Sequence, residues 1–383
     1  MKQNNLCILP WVHLATNSSG HYRLCCNSTP GKNLIINDKT NTPYTPHKIY
    51  SSNIEEVWNS NTYKKIRQQF LNNEKPDICI RCFREEDAGL KSARQGWNEK
   101  YISNLVESIE PELNIKYIDL RLGNLCNLRC NMCNPYASNQ WLKDWHINND
   151  PLPETEYKRL QKMDWPLQEE TWSNLIPILP SVETIYLTGG EPTLAKQQYR
   201  LYDICIEQGY AKNIILKYNS NLTNLPDKLI KYWKHFKKIK MNASIDGIGI
   251  VNDYIRYPSI WNNIEKKLLK LISMEVDLQI HTTVSAYNIF HLPKIFDYFS
   301  KYEIQPYLNI LNHPEWMNIR ILSAKDKYEV KNLLQPYIKF PKVEGLIDYI
   351  NDDWHHLHET FVKKTQALDK HRKIFYNEIR EKW

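Results

Sequence analysis

Three cysteines, Cys126, Cys130 and Cys133, fall within residues 120–136. Asn127, Asn131, Asn134 and Pro135 favour turns, so the segment reads as a loop following the apolar, strand-like run 116–122. A wrapping loop aims three thiolates at one point and lines the remaining space with backbone N–H groups. That suits a soft, anionic iron–sulfur cube, and a four-iron cube held by three cysteines keeps one iron open to a ligand that is not protein. The same thiols allow a zinc knuckle on Cys130 and Cys133, with Cys126 incidental. Zinc takes four ligands in two local pairs, however, and no second pair sits beside this loop.

A second group precedes it: Cys7, Cys25, Cys26, Cys79 and Cys82. Gly20, with Ser18 and Ser19, makes a tight turn between strand-like pieces at 11–15 and 22–25, and such a hairpin brings Cys7 and Cys25 to one end. Helical periodicity over 57–70 carries the chain back to Cys79 and Cys82. Cys7, Cys25, Cys79 and Cys82 then make a closed site for structural zinc or a fully ligated iron–sulfur cluster. Cys26 is a substitute for Cys25, although on a strand its side chain points the other way.

The elements that position these groups belong to an ordinary globular chain of 383 residues, 42% hydrophobic, with only 11 glycines. No apolar run approaches membrane-spanning length and the amino terminus lacks a signal-peptide core, so no membrane association and a cytoplasmic location are expected. In such a reducing compartment, nine clustered cysteines mean metal or catalysis before disulfides. A net charge of +7 permits an acidic partner without demanding one.

A polar connector at 85–94 leads to a helix over 97–109 that Pro111 ends, which sets a domain boundary at 110. Beyond it, strand-like runs at 116–122, 183–188, 213–219, 240–246, 277–284 and 305–311 alternate with helical stretches at 171–179, 196–208, 227–238, 262–273 and 292–301. The fold class is α/β: six β/α units in a partial (β/α)6 barrel, with an N-terminal cysteine-rich α+β module and C-terminal helices. The expected domains are 1–110, 111–319 and a helical cap at 320–383 that ends in a helix over 361–380.

Ligands of such a sheet sit beyond the carboxyl ends of the strands. There the second run ends in Gly189, Gly190 and Glu191, where glycines let backbone approach a ligand and the carboxylate can accept from an ammonium group. The third ends in Asn219, Ser220 and Asn221; the fourth carries Ser244 and Asp246, followed by Asn252, Asp253 and Arg256; the fifth ends in Thr283 and Ser285. Arg256 offers a planar fork for a carboxylate or, equally, a helix-surface ion pair with Asp253.

Cys-x-x-x-Cys-x-x-Cys after a first strand resembles the cluster loop of radical S-adenosylmethionine enzymes. The resemblance implies a catalytic [4Fe-4S] cluster on Cys126, Cys130 and Cys133 whose open iron chelates the methionine amino and carboxylate groups. An electron then cleaves the sulfonium to methionine and a 5′-deoxyadenosyl radical. It places Met132 beside the adenine, matches Gly189, Gly190 and Glu191 to the motif that binds the methionine amino group, and sets Asn219 near the ribose. Ser244, Asp246 and Arg256 match a Ser-x-Asp-Gly and His-Asp-x-x-Arg stretch, with Asn252 in place of the histidine. Ser244 then bonds ribose hydroxyls, Arg256 the methionine carboxylate, and Thr283 and Ser285 face adenine or ribose.

The first hundred residues are similar to the twitch domain, the short form of the SPASM domain. They match at Cys7, Pro10 and Trp11, Gly20, Cys25, Trp58-Asn59-Ser60, Cys79 and Cys82. This implies an auxiliary [4Fe-4S] cluster on Cys7, Cys25, Cys79 and Cys82, though thiolate tetrads suit zinc as well. The module here precedes the core, whereas in the family it follows. The resemblance implies hydrogen abstraction from a peptide or protein and a reducing partner such as flavodoxin or ferredoxin. The lack of a winged-helix leader-binding segment before Cys7 tells against a precursor peptide. The competing class is a zinc-stabilised, non-enzymatic adaptor that binds nucleic acid through the lysines between 228 and 240, which otherwise form a solvated face. The histidines at 355, 356 and 358 have awkward spacing for a metal, and the tryptophans at 141, 145, 165 and 172 are read as packing an inserted helical layer.

Overall fold

The strand-like runs become strands in the computed structural model of the chain, which describes residues 5–40, 42, 44–87, 91–274 and 276–380. The protein is mixed α/β, with eight strands among the described residues in a mostly parallel sheet. Two compact units divide it: Met1–Asn124, Met163–Lys217 and Lys231–Lys238 make the first, and Leu125–Lys162, Tyr218–Ile230 and Ile239–Trp383 the second. These units cut across the positions 110 and 319 expected from the sequence. Among the described residues no helix is long and apolar enough to cross a membrane.

In the first unit, β1 (His13–Thr16) and β2 (Tyr22–Arg23) form the expected hairpin, Ala15 lying opposite Arg23. β1 then runs parallel to β3 (Tyr117–Arg121), and β3 parallel to β4 (Thr184–Thr188), with Tyr117 opposite Thr184 and Arg121 opposite Thr188. Alternation puts Leu14, Ile118, Leu120, Ile185 and Leu187 on one face, each at most 1% exposed. Burial of each such side chain contributes roughly 1.5–3 kcal/mol. β5 (Ile215–Ser220) crosses the division between the units.

The cysteine-rich residues of this unit are held by a buried cation. Arg67 donates from Nε to Pro10 O at 2.9 Å and from Nη1 to Trp58 O at 2.8 Å and Ile109 O at 3.0 Å. Its guanidinium lies over the Trp58 and Tyr63 rings, and burial pulls its pKa down to about 10.

The second unit contains β6 (Lys238–Ser244) from Ile239 onward, β7 (Asp277–Val284) and β8 (Tyr307–Ile310), parallel throughout, with Lys240 opposite Asp277 and His281 opposite Tyr307. Helix Trp261–Ile272 buries Trp261, Ile264, Leu268 and Leu271, the inward stripe of a 3.6-residue period. An apolar cluster built on Tyr254, Ile255, Tyr287, Phe361, Tyr376 and Ile379 joins the C-terminal helices to the segment after β6.

Several elements differ from the expectation. The helix over 57–70 is two, Ile54–Trp58 and Asn61–Leu71, because Ser60 accepts from Tyr63 N at 3.4 Å and caps a fresh start. The helix expected over 97–109 runs instead from Ala93 to Tyr101, opened by a Ser92–Gln95 capping box. The chain beyond it turns away from helical pairing: Ser108 O and Ile109 O accept from Trp11 Nε1 and Arg67 Nη1. The helix over 361–380 breaks into His358–Arg372 and Tyr376–Arg380 at Lys373, whose φ of 58° is left-handed. Within the connector at 85–94, residues 88–90 lie outside the described residues. The tryptophan insert is not one layer, since Trp141 and Trp145 belong to the second unit and Trp165 and Trp172 to the first. The lysines at 228, 231, 234, 237 and 238 are exposed.

Candidate functional site

In the second unit, the loop bearing Cys126, Cys130 and Cys133 is irregular, as its asparagines require. Cys133 N donates to Cys130 O at 2.9 Å, a tight turn between the last two thiols. The Cys126 sulfur accepts from Leu128 N at 3.5 Å and from Asn221 Nδ2 at 3.8 Å. Two backbone bonds fasten the loop to the segment after β6: Arg129 N to Tyr257 O at 2.5 Å and Asn131 N to Ile255 O at 2.8 Å.

Below the loop lies a network the sequence did not announce. Arg372, 4% exposed at its side chain, donates to Arg129 O at 2.8 Å, Asn131 Oδ1 at 2.7 Å and Asp144 Oδ2 at 2.8 Å. Asp144, fully buried, also pairs with Arg129 at 2.5 Å. Trp141 closes the set, its Nε1 donating to Cys130 O at 2.9 Å while its ring faces the Arg372 guanidinium. The residues on both sides of Cys130 are thus tied to the end of helix His358–Arg372. Arg372 had no signal in the sequence beyond lying in a charged C-terminal stretch.

Burial pushes the Cys130 thiol up to about 12, with the Arg256 and Arg372 charges pulling it back. Cys133 is raised for the same first reason, and Cys130 and Cys126 add to the rise. Three thiols whose charges act on one another, with two guanidiniums acting on Cys130, fit an anionic iron–sulfur group, which binds thiolates and needs positive charge in an enclosed place. Among the described residues no group of three His, Cys, Asp or Glu side chains is drawn in closely enough to hold a single metal ion.

The other strand ends of this unit are mostly engaged. Asn219 Oδ1 accepts from Asn242 Nδ2 at 2.7 Å. Asp246, fully buried, accepts from Thr283 N at 2.7 Å and pairs with Arg256 at 2.8 Å. Arg256 therefore makes neither the surface position nor the Asp253 pair considered from the sequence; Asp253 accepts from Ser259 instead. Asn252, at the histidine position, accepts from Asp246 N at 3.1 Å and orients that carboxylate's strand end. Ser244 is half-buried. Ser285 is fully buried and held by Asn288, which accepts from its backbone N at 2.8 Å. Met132 packs against the apolar cluster of the C-terminal helices.

In the first unit, Gly189 has φ 113°, a conformation open to glycine, and a Cβ there would stand 2.9 Å from Gly123 O. Glu191 is 1% exposed; its Oε1 accepts from Thr193 N at 3.1 Å and Thr193 Oγ1 at 2.7 Å, capping the turn that follows. Gly190 is half-buried between them.

The N-terminal cysteines meet in the same unit. Cys7, Cys25, Cys26, Cys79 and Cys82 line one cavity with Arg94 and Trp97. Cys25 and Cys26 lie past the end of β2 in a turn, so strand alternation does not separate them as expected, and both reach the cavity wall. Burial raises the Cys7 thiol, and Cys25 raises it further; Cys79 is raised by burial and then by Cys7 and Cys25. Arg94 anchors the cavity by pairing with Glu86 and donating to Leu6 O at 2.5 Å. The donor set is all sulfur, as a fully ligated iron–sulfur group requires.

Residues 7–83 match the family model described as SPASM, iron–sulfur cluster-binding domain. An uncharacterized protein of Methanocaldococcus jannaschii, MJ0907, is 28% identical over 193 residues, which is 48% of this chain and 58% of that relative. Thus the chain spans little more than half that relative's length. Among solved structures, native anSMEcpe with bound AdoMet aligns with a TM-score of 0.37 at 16% identity, over 56% of this chain and 57% of that one. Streptococcus suis SuiB bound to S-adenosylmethionine aligns with a TM-score of 0.35 at 14% identity, over 56% and 42%. The same enzyme bound to precursor peptide SuiA gives 0.35 at 14% identity, over 70% and 62%. The spacing of Cys7, Cys25, Cys79 and Cys82 therefore falls in a segment that matches a SPASM-type iron–sulfur cluster-binding domain.

Proposed function

We propose that this chain is a radical S-adenosylmethionine enzyme that modifies a peptide or protein by hydrogen abstraction. Residues 111–319 are its core, residues 1–110 an auxiliary-cluster module and residues 320–383 a helical cap. The observation that carries the reading is the loop of Cys126, Cys130 and Cys133, one thiol buried and two half-buried, with the charges of Arg256 and Arg372 acting on Cys130. Held by Cys126, Cys130 and Cys133, a [4Fe-4S] cluster would supply the one electron needed to split S-adenosylmethionine into methionine and a 5′-deoxyadenosyl radical.

The chain's own residues do the holding. Cys126, Cys130 and Cys133 are the proposed ligands of that cluster, and Cys7, Cys25, Cys79 and Cys82 those of the second. Gly189 and Gly190 bring backbone close to the methionine end of the cosubstrate, and Glu191 presents a carboxylate to its ammonium group. Asn219, Ser244 and Asp246 stand for the ribose side, Arg256 for the methionine carboxylate and Met132 for the adenine. The wall of Trp141 and the Arg372 network keeps water from the buried side of the loop.

Anaerobic purification followed by iron, sulfide and zinc analysis tests the reading directly: iron and sulfide at both sites are expected, and zinc at both would overturn it. Cys130→Ala is expected to abolish dithionite-dependent 5′-deoxyadenosine formation. Unchanged formation in that variant would remove Cys130 from the chemistry.

A further inference from the structure

A sheet buried on both sides is ordinarily apolar on both. The β1–β4 portion of the first unit is apolar on one face only. On the other, alternation and register line up Tyr117, Asp119 and Arg121 of β3 with Tyr186 and Thr188 of β4, and Arg23 joins them from the hairpin. Where the strands begin, this face is closed: Trp97 stacks on Tyr117 with centroids 4.3 Å apart, and Tyr101 OH meets Thr184 Oγ1 at 3.1 Å.

Towards the strand ends the polar groups are enclosed but not satisfied. Asp119 is fully buried and gives one oxygen to Arg23 at 2.9 Å. Its other oxygen, Arg23 Nε, Arg121 Nε and Thr188 Oγ1 are all shut from solvent with no hydrogen-bond partner among the described residues. Among the described residues Arg121 makes no ion pair; its backbone N donates to Thr16 Oγ1 at 3.3 Å and its backbone O accepts from Gly123 N at 2.7 Å. Lys217 Nζ lies 5.0 Å from the Tyr186 ring centre. Two guanidiniums, Arg23 and Arg121, beside the one carboxylate of Asp119 leave this group of side chains net positive. Burial, and then the charge of Arg23, hold the Arg121 pKa below its ordinary value. Folded proteins rarely leave buried polar atoms unpaired, and four on one face mark a place where a partner belongs.

We propose that this face binds a substrate carboxylate. Arg121 takes the carboxylate in its planar fork, and the unpaired oxygen of Asp119 accepts an N–H from the same ligand. A carboxylate next to an amide N–H is what the C-terminal residue of a peptide presents. The inference rests on the reading above for the word substrate and deepens it by naming the class. The site borders the Cys7 cavity, whose lining includes Tyr117 of the same face.

The test is a thermal-shift titration of the anaerobically purified, cluster-loaded protein at constant ionic strength. The probes are N-acetylglycinate, its neutral amide N-acetylglycinamide, and inorganic phosphate. At ten times its Kd, N-acetylglycinate is expected to raise Tm on the order of 3 °C, and the amide to leave it unmoved. Arg121→Met is expected to keep or raise the unliganded Tm, because it removes a largely buried guanidinium that makes no ion pair among the described residues, and to lose the shift. Arg121→Lys, which keeps the charge without the fork, is expected to retain only part of it. Equal shifts with the neutral amide, a larger shift with phosphate, or a Tm lowered by several degrees in both variants would each overturn the assignment. So would a changed cluster absorption with an intact probe shift, since Arg121 would then serve the cluster. None of these measurements reads S-adenosylmethionine cleavage, so failure of the cleavage reaction and failure of this site remain separate results.

Discussion

Replacing Arg372 by methionine is expected to loosen the loop of Cys126, Cys130 and Cys133 from beneath. The side chain is 4% exposed and makes three bonds, to Asp144 Oδ2, Asn131 Oδ1 and Arg129 O, at 2.7–2.8 Å. Methionine keeps much of the volume and none of the donors. Breaking a buried ion pair costs roughly 3–5 kcal/mol. Asp144 retains Arg129 at 2.5 Å and has His371 at 3.4 Å, which moves the figure to the lower end. The abandoned acceptors on Arg129 and Asn131 add about 1 kcal/mol each, so a loss of about 5 kcal/mol is expected. For the second unit that is a fall in Tm on the order of 10 °C. The affected residues flank Cys130, so the iron bound per chain falls with it. Calorimetry under anaerobic conditions, with iron determination on the same samples, measures both. If Arg372→Met unfolds within about 1 kcal/mol of the parent and holds the same iron, the network does not position the loop and the argument fails.

Other perturbations carry equally definite outcomes. Gly189→Ala meets both a left-handed φ of 113° and a carbonyl 2.9 Å from the new methyl; a loss of roughly 1–3 kcal/mol is expected, together with weaker S-adenosylmethionine binding by calorimetry. His291 is 3% exposed, accepts from Ile248 N at 3.1 Å, and burial lowers its pKa to about 4. Its folded pKa lies below the unfolded one, so stability is full above pH ~6.5 and falls as pH drops towards 4, by up to about 3 kcal/mol. His291→Gln is expected to flatten that slope in urea titrations between pH 7 and 4.5, and an unchanged slope would show that His291 is not its source.

Periodicity carried the sequence a long way where one strand or one helix decides its own burial. The runs at 183–188 and 277–284 lie within a residue of β4 and β7, because alternate apolar positions leave no other register. Where ends depend on distant partners, the sequence was silent. Nothing in residues 97–109 foretold that the helix would end at Tyr101 in a single turn over Ile102–Asn104, or that Trp11 and Arg67 would claim the carbonyls of Ser108 and Ile109 beyond it. The cysteine motifs stood out in the sequence because their spacing is local, and residues 7–83 match an iron–sulfur cluster-binding domain. Their supports did not, because Arg372 lies more than two hundred residues from Asp144. The polar sheet face was hidden for a related reason: Asp119 and Arg121 read as ordinary alternation in a strand until their neighbours on β2 and β4 are known.

The parallel pairing of β1 with β3 bears on how the N-terminal hundred residues can be handled. They are not an appendage that shears off at a linker, since His13, Leu14 and Ala15 are hydrogen-bonded neighbours of Tyr117, Ile118 and Asp119. Truncation before β3 would bare the flank of a buried, hydrophobic strand, the very template on which chains pair with one another and precipitate. A shortened version lacking the first cysteine group thus reports on solubility before it reports on electron transfer, whereas point changes at the sulfurs leave the sheet whole.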